Sequence, residues 1–418
     1  MEGAVAAPRK RLVPALLWLL SVALICRMTI FIRQRTATEF TAVDTNAAAE
    51  IAIVGLTMAV LLLVPRLGQV WRAVSRTSFA LLLAYYGLCT ASALWSPALE
   101  FSLFRGAEAG CEYFAVLVAL SYCVGFVDAE RRVLTIALLA MVLGLAATLK
   151  LNKFDFSIDG LHTNSYTASA AVLCCYCLGE LIASASGRRA RTLKIFGLAG
   201  LAGVVMGTSS ASIIAALCGG AVAFLLSRQR GILLSVLIVV VVSVVFLLEG
   251  DELASVIFPG KTEEQIYTLH GRTLLWESYF EDIKDHPIVG MGFGVGSRLS
   301  TFRYTTNAHN AVMAVLLGTG IAGMLIVLGA AARLGREVLG AVRLHRRGGA
   351  GCAAALTAAV VNSMGLPIVG ETWMVPTLPV ACVLALLLLF VVRGDPAAAV
   401  TRDRGGASGS RRVREAAG

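Results

Sequence analysis

The sequence predicts an all-α fold, a polytopic transmembrane bundle of about twelve helices. Of its 418 residues, 57% are hydrophobic and 15% are charged, and the mean hydropathy is +0.79. A soluble domain carries about 25% charged residues, so this composition excludes both an ordinary soluble enzyme and a disordered chain. The apolar runs are continuous and approach the roughly 20 residues that cross a bilayer, whereas a membrane barrel shows alternating segments of about ten residues.

The apolar runs define the predicted spans in order along the chain. No small-residue cleavage site follows the first run, so we expect this segment to remain as a membrane span. The predicted spans are roughly 12–32, 47–64, 78–95, 108–127, 132–149, 165–186, 192–208, 210–227, 231–248, 308–332, 350–368 and 372–393.

The Lys and Arg residues predict the orientation of these spans. With the N-terminus in the cytoplasm, the inner segments hold 25 of the 36 basic residues and the outer segments hold 11. Basic residues accumulate on the cytoplasmic side of membrane proteins, so we expect both termini in the cytoplasm. The net charge of +10 then reflects membrane orientation and does not indicate nucleic acid as a partner.

The spans divide the chain into five predicted parts. They are a cytoplasmic N-terminus at 1–11, the first nine spans at 12–248, a large extracytoplasmic loop at 249–307, the last three spans at 308–393 and a tail at 394–418. The tail is rich in Gly, Ala, Ser and Arg. We expect it to be disordered and held at the anionic inner surface of the membrane.

The large loop contains one segment with helical periodicity. Leu275, Tyr279 and Ile283 recur at every fourth position within 272–284, which predicts an amphipathic helix lying on the outer membrane face. Glycines then occupy every second position from Gly290 to Gly296. This spacing predicts a close backbone approach to a ligand or to another helix.

His309 closes the large loop and opens the next predicted span. We expect Thr306 or Asn307 to cap that span, which places His309 in its first turn. The free N–H groups of a helix N-terminus bind anions and favour a neutral imidazole that can accept a proton. The alternative is a histidine that only caps the helix and reaches the membrane interface.

Several cations accompany the acidic outer loop. Arg272, Arg298 and Arg303 lie in the loop, while Arg105, Lys150 and Lys153 lie in other predicted outer segments. Arginine binds phosphate in a bidentate manner, so these residues predict a pocket for a pyrophosphate. The alternative is that each pairs with a neighbouring Asp or Glu.

Charged residues are rare inside the predicted spans. Glu112, Glu180 and Glu371 lie within or at the ends of spans. Transporters usually carry intramembrane ionisable residues and paired broken helices, and the sequence indicates neither clearly. The functional residues are therefore expected on the outer face.

Five short stretches stand in a fixed order around the large loop. They are Ala93-Leu94-Trp95-Ser96-Pro97 with Ser102 and Arg105, His162-Thr163-Asn164-Ser165-Tyr166, Gly271-Arg272-Thr273-Leu274-Leu275-Trp276, His286-Pro287-Ile288-Val289-Gly290-Met291-Gly292, and Ala308-His309-Asn310 with the glycines between Gly318 and Gly323. Together they resemble the O-antigen ligase and polysaccharide polymerase family of bacterial envelope enzymes, over residues from about 85 to 390.

The resemblance implies a metal-independent glycosyltransferase on the outer face of the bacterial cytoplasmic membrane. Its partners would be a polyprenyl-pyrophosphate-linked glycan donor, a glycan or glycolipid acceptor and membrane lipids, with no cofactor. His309 would activate the acceptor hydroxyl and Arg272 would contact the pyrophosphate. The expected substrate-binding residues are Arg105, Arg298, Arg303, Asn164 and Asn310.

The sequence departs from the family at one motif. The family often has Ser-Arg-Gly or Ser-Arg-Ser where this chain has Thr208-Ser209-Ser210-Ala211-Ser212, so an arginine expected at the lipid pyrophosphate is replaced by a small polar residue. Two alternatives therefore stay open. One is a transporter or flippase of lipid-linked sugars, which would need a polar path through the bundle, and the other is a non-catalytic relative.

Overall fold

The protein is described by a computed structural model over residues 7–29, 44–65, 67–150, 163–183, 185–207, 209–226, 272–299, 308–371 and 374–393. Within these ranges all regular structure is helical and no strand forms, which confirms the predicted all-α class. The predicted span 231–248, the loop parts 249–271 and 300–307 and the tail 394–418 lie outside the described residues.

The helices follow one another along the chain with short connections. They are α1 (Ala7–Thr29), α2 (Thr45–Leu63), α3 (Leu67–Val74), α4 (Ser78–Ala91), α5 (Leu99–Ser121), α6 (Phe126–Lys150), α7 (Thr163–Ala183), α8 (Gly187–Val205), α9 (Ser210–Leu225), α10 (Arg272–Asp285), α11 (Gly296–Leu299), α12 (Ala311–Arg343), α13 (Gly349–Asn362) and α14 (Thr377–Leu386). A short 3₁₀ helix (Ser92–Leu94) follows α4, and a π-helical turn (Leu387–Val391) follows α14.

Each predicted span that falls on described residues overlaps a helix. In this part of the chain, three helices have the length and apolar composition to cross a membrane: Thr45–Leu63, Tyr166–Ala183 and Ala311–Arg343. The pair Leu67–Val74 and Ser78–Leu94, bent by 106°, raises the number to four if it forms one span. Shorter apolar helices and the more charged α5 make up other predicted spans, so the number twelve stays a prediction.

Small residues bring α7, α8, α9 and α13 into close contact. A Cβ atom added to Gly200 of α8 would lie 2.8 Å from the Cys174 backbone nitrogen in α7. A Cβ atom added to Gly219 of α9 would lie 2.7 Å from the Ala354 carbonyl oxygen in α13. Such close backbone contact is how membrane helices gain packing energy, because lipid provides no hydrophobic driving force between them.

Helix α12 is broken at Gly320, where φ is 61° and ψ is −160°. The segment 287–292 lies in this break. Four backbone hydrogen bonds join the two segments: Met291 N–H to Leu317 O (2.7 Å), Gly292 N–H to Gly318 O (3.0 Å), Ile321 N–H to Pro287 O (2.9 Å) and Ala322 N–H to Ile288 O (3.0 Å). The loop segment thus satisfies backbone groups that the broken helix leaves open, as a helix that crosses a membrane requires.

This contact explains the glycine spacing in the loop sequence. A Cβ atom on Gly290, whose φ is +66°, would lie 2.6 Å from the Leu317 carbonyl oxygen. A Cβ atom on Gly320 would lie 2.6 Å from the Val289 backbone nitrogen. The close approach predicted for the loop glycines is confirmed at Gly290, where the partner is another helix. We call residues 286–299 the docked segment.

The predicted amphipathic helix exists as α10, but its apolar face has a different partner. Leu275 and Tyr279 are buried and Ile283 is partly buried, which confirms the predicted stripe. This face packs against the beginning of α12, through Met313 and Leu317, and not on the membrane surface as predicted. The docked segment brings the end of α10 close to α12, so the apolar stripe of α10 packs against protein.

Candidate functional site

The site is built around Ala308, directly before His309. The Ala308 N–H donates to a carboxylate oxygen of Glu371 (3.4 Å), and the indole N–H of Trp276 in α10 donates to the Ala308 carbonyl oxygen (3.3 Å). Both polar groups of the Ala308 backbone are therefore held by side chains from other parts of the chain. His309 follows with a φ of 52°, a left-handed conformation that is uncommon outside glycine.

Asn310 caps α12, which corrects the predicted helix start. Its side-chain oxygen accepts from the N–H groups of Val312 (2.8 Å) and Met313 (3.3 Å). His309 therefore lies one residue before the cap and not in the first turn, because its positive φ prevents the helix from extending further towards the N-terminus. The predicted caps, Thr306 and Asn307, lie outside the described residues.

The beginning of α12 is also tied to the end of α13. The Ala311 N–H donates to the Ser363 carbonyl oxygen at 2.9 Å. His309 and Asn310 thus sit at a junction of α10, α12 and the residues that follow α13. We call this end of the bundle the loop end.

Glu371 joins the docked segment to this junction. Besides Ala308, it accepts from the Ser297 hydroxyl (3.1 Å) and forms an ion pair with Arg298 (3.7 Å). Burial lowers the pKa of Arg298, and the nearby Glu371 carboxylate opposes this effect. Glu371 therefore fixes both a candidate cation and the backbone that carries His309, a role that the sequence did not predict.

Phe101 of α5 brings two predicted arginines together. The guanidinium of Arg105 lies 5.3 Å from the centre of the Phe101 ring, and that of Arg298 lies 5.1 Å from it. Aromatic faces attract such cations. The candidates Arg105 and Arg298, almost two hundred positions apart in the sequence, are thus neighbours at the loop end.

Both of these arginines already have acidic partners. Arg105 donates to Glu50 of α2 (2.6 Å and 3.2 Å) and to Glu108 (2.9 Å), and Arg298 pairs with Glu371. For these two residues the structure contains the ion pairs that the sequence left open as an alternative. Either arginine would have to give up an acidic partner to bind a phosphate fully.

The structure describes the positions of only some of the other predicted site residues. Arg272 is the first residue of α10, so its backbone lies about one helical turn, or roughly 6 Å, before Trp276. Asn164 is the second residue of α7 and is half-buried. Arg303 and Lys153 lie outside the described residues. Trp276 thus connects the candidate Arg272 to the residue next to His309.

The motif that lacks the family arginine forms a small hydroxyl cluster. Ser212 of α9 is hydrogen-bonded to Thr167 of α7 (2.9 Å), Ser209 (3.2 Å) and the Asn362 amide of α13 (3.1 Å). All four residues are buried. Neutral hydrogen-bonding groups thus lie where α7, α9 and α13 meet.

Sequence reasoning missed a group of buried charges on α1, α2 and α5. Arg27 pairs with Glu50 and Glu108, and the same two glutamates bind Arg105. A signal was present, because Arg105, Glu108 and Glu112 recur with the spacing of one helix face within an otherwise apolar run. In the described part of the chain, no three His, Cys, Asp or Glu side chains come together as a potential metal site.

Comparison with known proteins supports the family resemblance. A family model described as O-antigen ligase matches residues 195–328, about a third of the chain. The matched residues contain Arg272, the docked segment, His309 and the break in α12. The resemblance predicted from the motifs is confirmed over these residues, and together with the apolar helices it indicates an integral membrane protein. No curated protein matches the chain.

Proposed function

We propose that this protein is a glycan ligase or polymerase of the outer face of the bacterial cytoplasmic membrane. It transfers a glycan from a polyprenyl-pyrophosphate donor to an acceptor hydroxyl on another lipid-linked glycan or an envelope glycolipid. The observation that carries the proposal is the convergence of separate motifs on one junction. Trp276 and Glu371 hold the residue before His309, and Glu371 also binds Ser297 and Arg298 of the docked segment, which fills the break in α12.

The proposed reaction needs few groups. The acceptor oxygen forms a bond to the anomeric carbon of the glycan, and the bond from that carbon to the pyrophosphate oxygen breaks. The pyrophosphate leaves as an anion and keeps the bonding electrons, while His309 takes the proton of the acceptor hydroxyl. A positioned base and nearby cations are what such a transition state requires, and a metal ion is not needed.

The cations have different proposed roles. Arg272 and Arg303 contact the pyrophosphate, since Arg272 precedes Trp276 by about one helical turn and Arg303 precedes Ala308 by five positions in the sequence. Arg105 and Arg298 support the same pocket with a positive potential while they remain paired to glutamates. To contact the donor directly, Arg298 would leave its acidic partner Glu371, at 3.7 Å, and the carbonyl oxygen of Gly294 to which it donates.

Neutral groups complete the proposed pocket. Asn310 orients the residue that precedes it by capping α12, and Asn164 at the beginning of α7 binds a sugar hydroxyl of the donor or acceptor. The hydroxyl cluster of Ser209 and Ser212 stands where the family usually has its arginine. We therefore expect the pyrophosphate to depend more strongly on Arg272 here than in relatives that keep both cations.

A transporter or flippase of lipid-linked sugars is the second candidate. The buried charges on α1, α2 and α5 favour it, because intramembrane ionisable residues often mark a transport path. However, Arg27, Glu50 and Glu108 are buried and form ion pairs with one another. The remaining buried residues in the described part of the bundle are mostly apolar and do not form a polar path. The transferase therefore accounts for more of the observations.

Deletion of the gene distinguishes the two functions. Loss of a transferase should cause a polyprenyl-pyrophosphate-linked glycan to accumulate on the outer face, where an added impermeant glycosidase or lectin reaches it in intact spheroplasts. Loss of a flippase should cause the same lipid to accumulate on the inner face, so that it is reached only after lysis. If no lipid-linked glycan accumulates on either face, both proposals are wrong. Addition of a chelator to the transfer reaction should leave its rate unchanged.

A further inference from the structure

Five charged side chains lie buried together between α1, α2 and α5. They are Arg27, Glu50, Arg105, Glu108 and Glu112, and none is more than 7% exposed. Isolated charges are expensive to bury in protein or lipid, so such groups are usually paired or neutralised. The partners of each charge therefore indicate its protonation state.

Four of the five charges form a ring of ion pairs. Each arginine contacts both glutamates: Arg27 with Glu50 and Glu108, and Arg105 with Glu50 (2.6 Å) and Glu108 (2.9 Å). Two positive and two negative charges alternate around this ring, so its formal charge is zero. We call these four residues the charge ring.

Glu112 is the fifth member and stands apart from the ring. It lies one turn of α5 beyond Glu108 and is completely buried. Neither of its carboxylate oxygens has a hydrogen-bond partner among the described residues. An ionised Glu112 would add a third negative charge beside Glu108, and the described residues include no third buried arginine to balance it.

Among the described residues, the helices that pack against α5 supply no other buried positive charge. Next to Arg27, α1 offers Cys26, while its other basic residues, Arg9, Lys10 and Arg11, lie at the opposite end of that helix. The single titratable residue of α2 is Glu50. The titratable residues of α4 are Tyr85, Tyr86 and Cys89, and that of α14 is Cys382. On α5 itself, Cys111 and Tyr113 adjoin Glu112. The one ionisable residue of α3, Arg72, is exposed and so adds no buried charge. The tyrosines and cysteines are neutral at ordinary pH, so they balance nothing.

We propose that Glu112 is a proton-binding site inside the bundle, a neutral carboxylic acid at neutral pH that releases its proton to the medium under alkaline conditions. The proton leaves as the O–H bond breaks and the carboxylate keeps the electron pair. The carboxylate then competes with Glu108 for Arg27, which loosens the charge ring. Because the ring holds Arg105 against Phe101, and Phe101 also contacts Arg298, the protonation of Glu112 is linked to the loop end.

Infrared spectroscopy of the purified full-length protein in liposomes tests the proton directly. A protonated carboxylic acid has a C=O stretching band that a carboxylate lacks. The neutral-minus-alkaline difference spectrum should contain this band in the wild-type protein, and Glu112→Gln should abolish it. Glu100→Gln is the matched control, since Glu100 is exposed on the first turn of the same helix, and it should leave the band unchanged.

A second variant keeps the assignment independent of the glutamine variant. Glu112→Asp retains an acid in a different position, so the band should persist at a shifted frequency. The proposal is wrong if the wild-type protein has no such band at neutral pH. It is also wrong if Glu112→Gln retains the full band or if Glu112→Asp leaves its frequency unchanged. These spectra do not depend on glycan transfer, so they can fail while the proposed function stands.

The link to the loop end rests on the proposed function and has its own readout. Wild-type transfer should decline at alkaline pH as Glu112 ionises, and Glu112→Gln should shift that decline to higher pH or remove it. Identical alkaline profiles for the two proteins would contradict the link. If the infrared band is present while neither protein transfers glycan at any pH, the proposed function fails and the proton site stands.

Discussion

Gly320 is the position where a single methyl group should separate the docked segment from α12. Gly320→Ala adds a Cβ atom that would lie 2.6 Å from the Val289 nitrogen, so the backbone of the docked segment must move. In addition, the φ of 61° and ψ of −160° belong to a region that is essentially restricted to glycine. The substitution is therefore unfavourable for two independent reasons.

The cost can be estimated from these two effects. Holding a non-glycine residue in this conformation costs about 1–3 kcal/mol. Displacing the docked segment also weakens two hydrogen bonds, from Ile321 to Pro287 and from Ala322 to Ile288, each contributing about 0.5–1.5 kcal/mol. The expected destabilisation is therefore about 2–6 kcal/mol.

Gly335→Ala is the matched control because it changes the same residue type in the same helix. Gly335 lies in a regular, exposed part of α12, and a Cβ atom there would meet nothing within 4 Å. Alanine in a helix interior is favoured over glycine by about 0.5–1 kcal/mol, so this variant should be as stable as the wild type or slightly more stable.

Thermal unfolding in detergent micelles, followed by tryptophan fluorescence, measures the difference. Gly320→Ala should lower the unfolding midpoint clearly, whereas Gly335→Ala should leave it unchanged or raise it. If the two variants unfold at the same temperature as each other, the docking of residues 286–299 into the break of α12 is wrong. The proposed construction of the site would then fail as well.

Three further predictions concern the site and the orientation. Arg272→Lys should reduce glycan transfer nearly as much as Arg272→Ala, because an ammonium group cannot reproduce bidentate phosphate binding. If the lysine variant keeps most of the activity, the residue contributes only its positive charge. Lys284 and Arg343 are both exposed, so a cysteine can replace either one. The cysteine at 284 should react with an impermeant maleimide in intact cells, and the cysteine at 343 only after lysis, each compared with the parent protein. Labelling of both from one side would refute the topology. Glu371→Ala should lower the rate of transfer by about tenfold or more, since it removes charged hydrogen bonds of about 1.5–3 kcal/mol. Glu371→Gln should have a milder effect because it keeps an acceptor for the Ala308 N–H. Equal effects of the two variants would mean that Arg298 needs the negative charge itself.

The helices could be predicted from the sequence because their signal is local. Long apolar runs specify helices through composition alone, and the stripe of Leu275 and Tyr279 specified the buried face of α10. The glycine spacing predicted a close backbone contact but not its partner. Glycine permits close approach to any backbone, so only the folded chain determines that Gly290 meets the break at Gly320.

The charged contacts could not be predicted because they depend on tertiary packing. Arg27 and Glu108 are 81 positions apart, and Arg105 and Glu50 are 55 positions apart. Nothing in the local sequence of α5 indicates which helix faces it. Each of these residues could therefore be recognised as unusual in an apolar run, while its partner remained unknown.

The beginning of α12 shows a different limit. Thr306, Asn307 and Asn310 are all good N-cap residues, so composition alone could not select among them. The choice of Asn310 moves His309 out of the helix and gives it a positive φ. Glu371 was noted only as a charge at the end of a span, and its contact with Ala308 required the fold.

Transfer by the purified protein in liposomes tests the central claim most directly, with a polyprenyl-pyrophosphate-linked glycan as donor and a hydroxyl-bearing acceptor. A positioned base contributes about 10²–10⁴-fold, so His309→Ala should reduce the rate by that factor at an unchanged amount of folded protein. Asn310→Ala should be milder, and His286→Ala should keep the wild-type rate, since His286 is an exposed histidine at the start of the docked segment. Wild-type transfer by His309→Ala, or a loss that only follows its abundance in the membrane, would contradict the account and make His309 a structural residue.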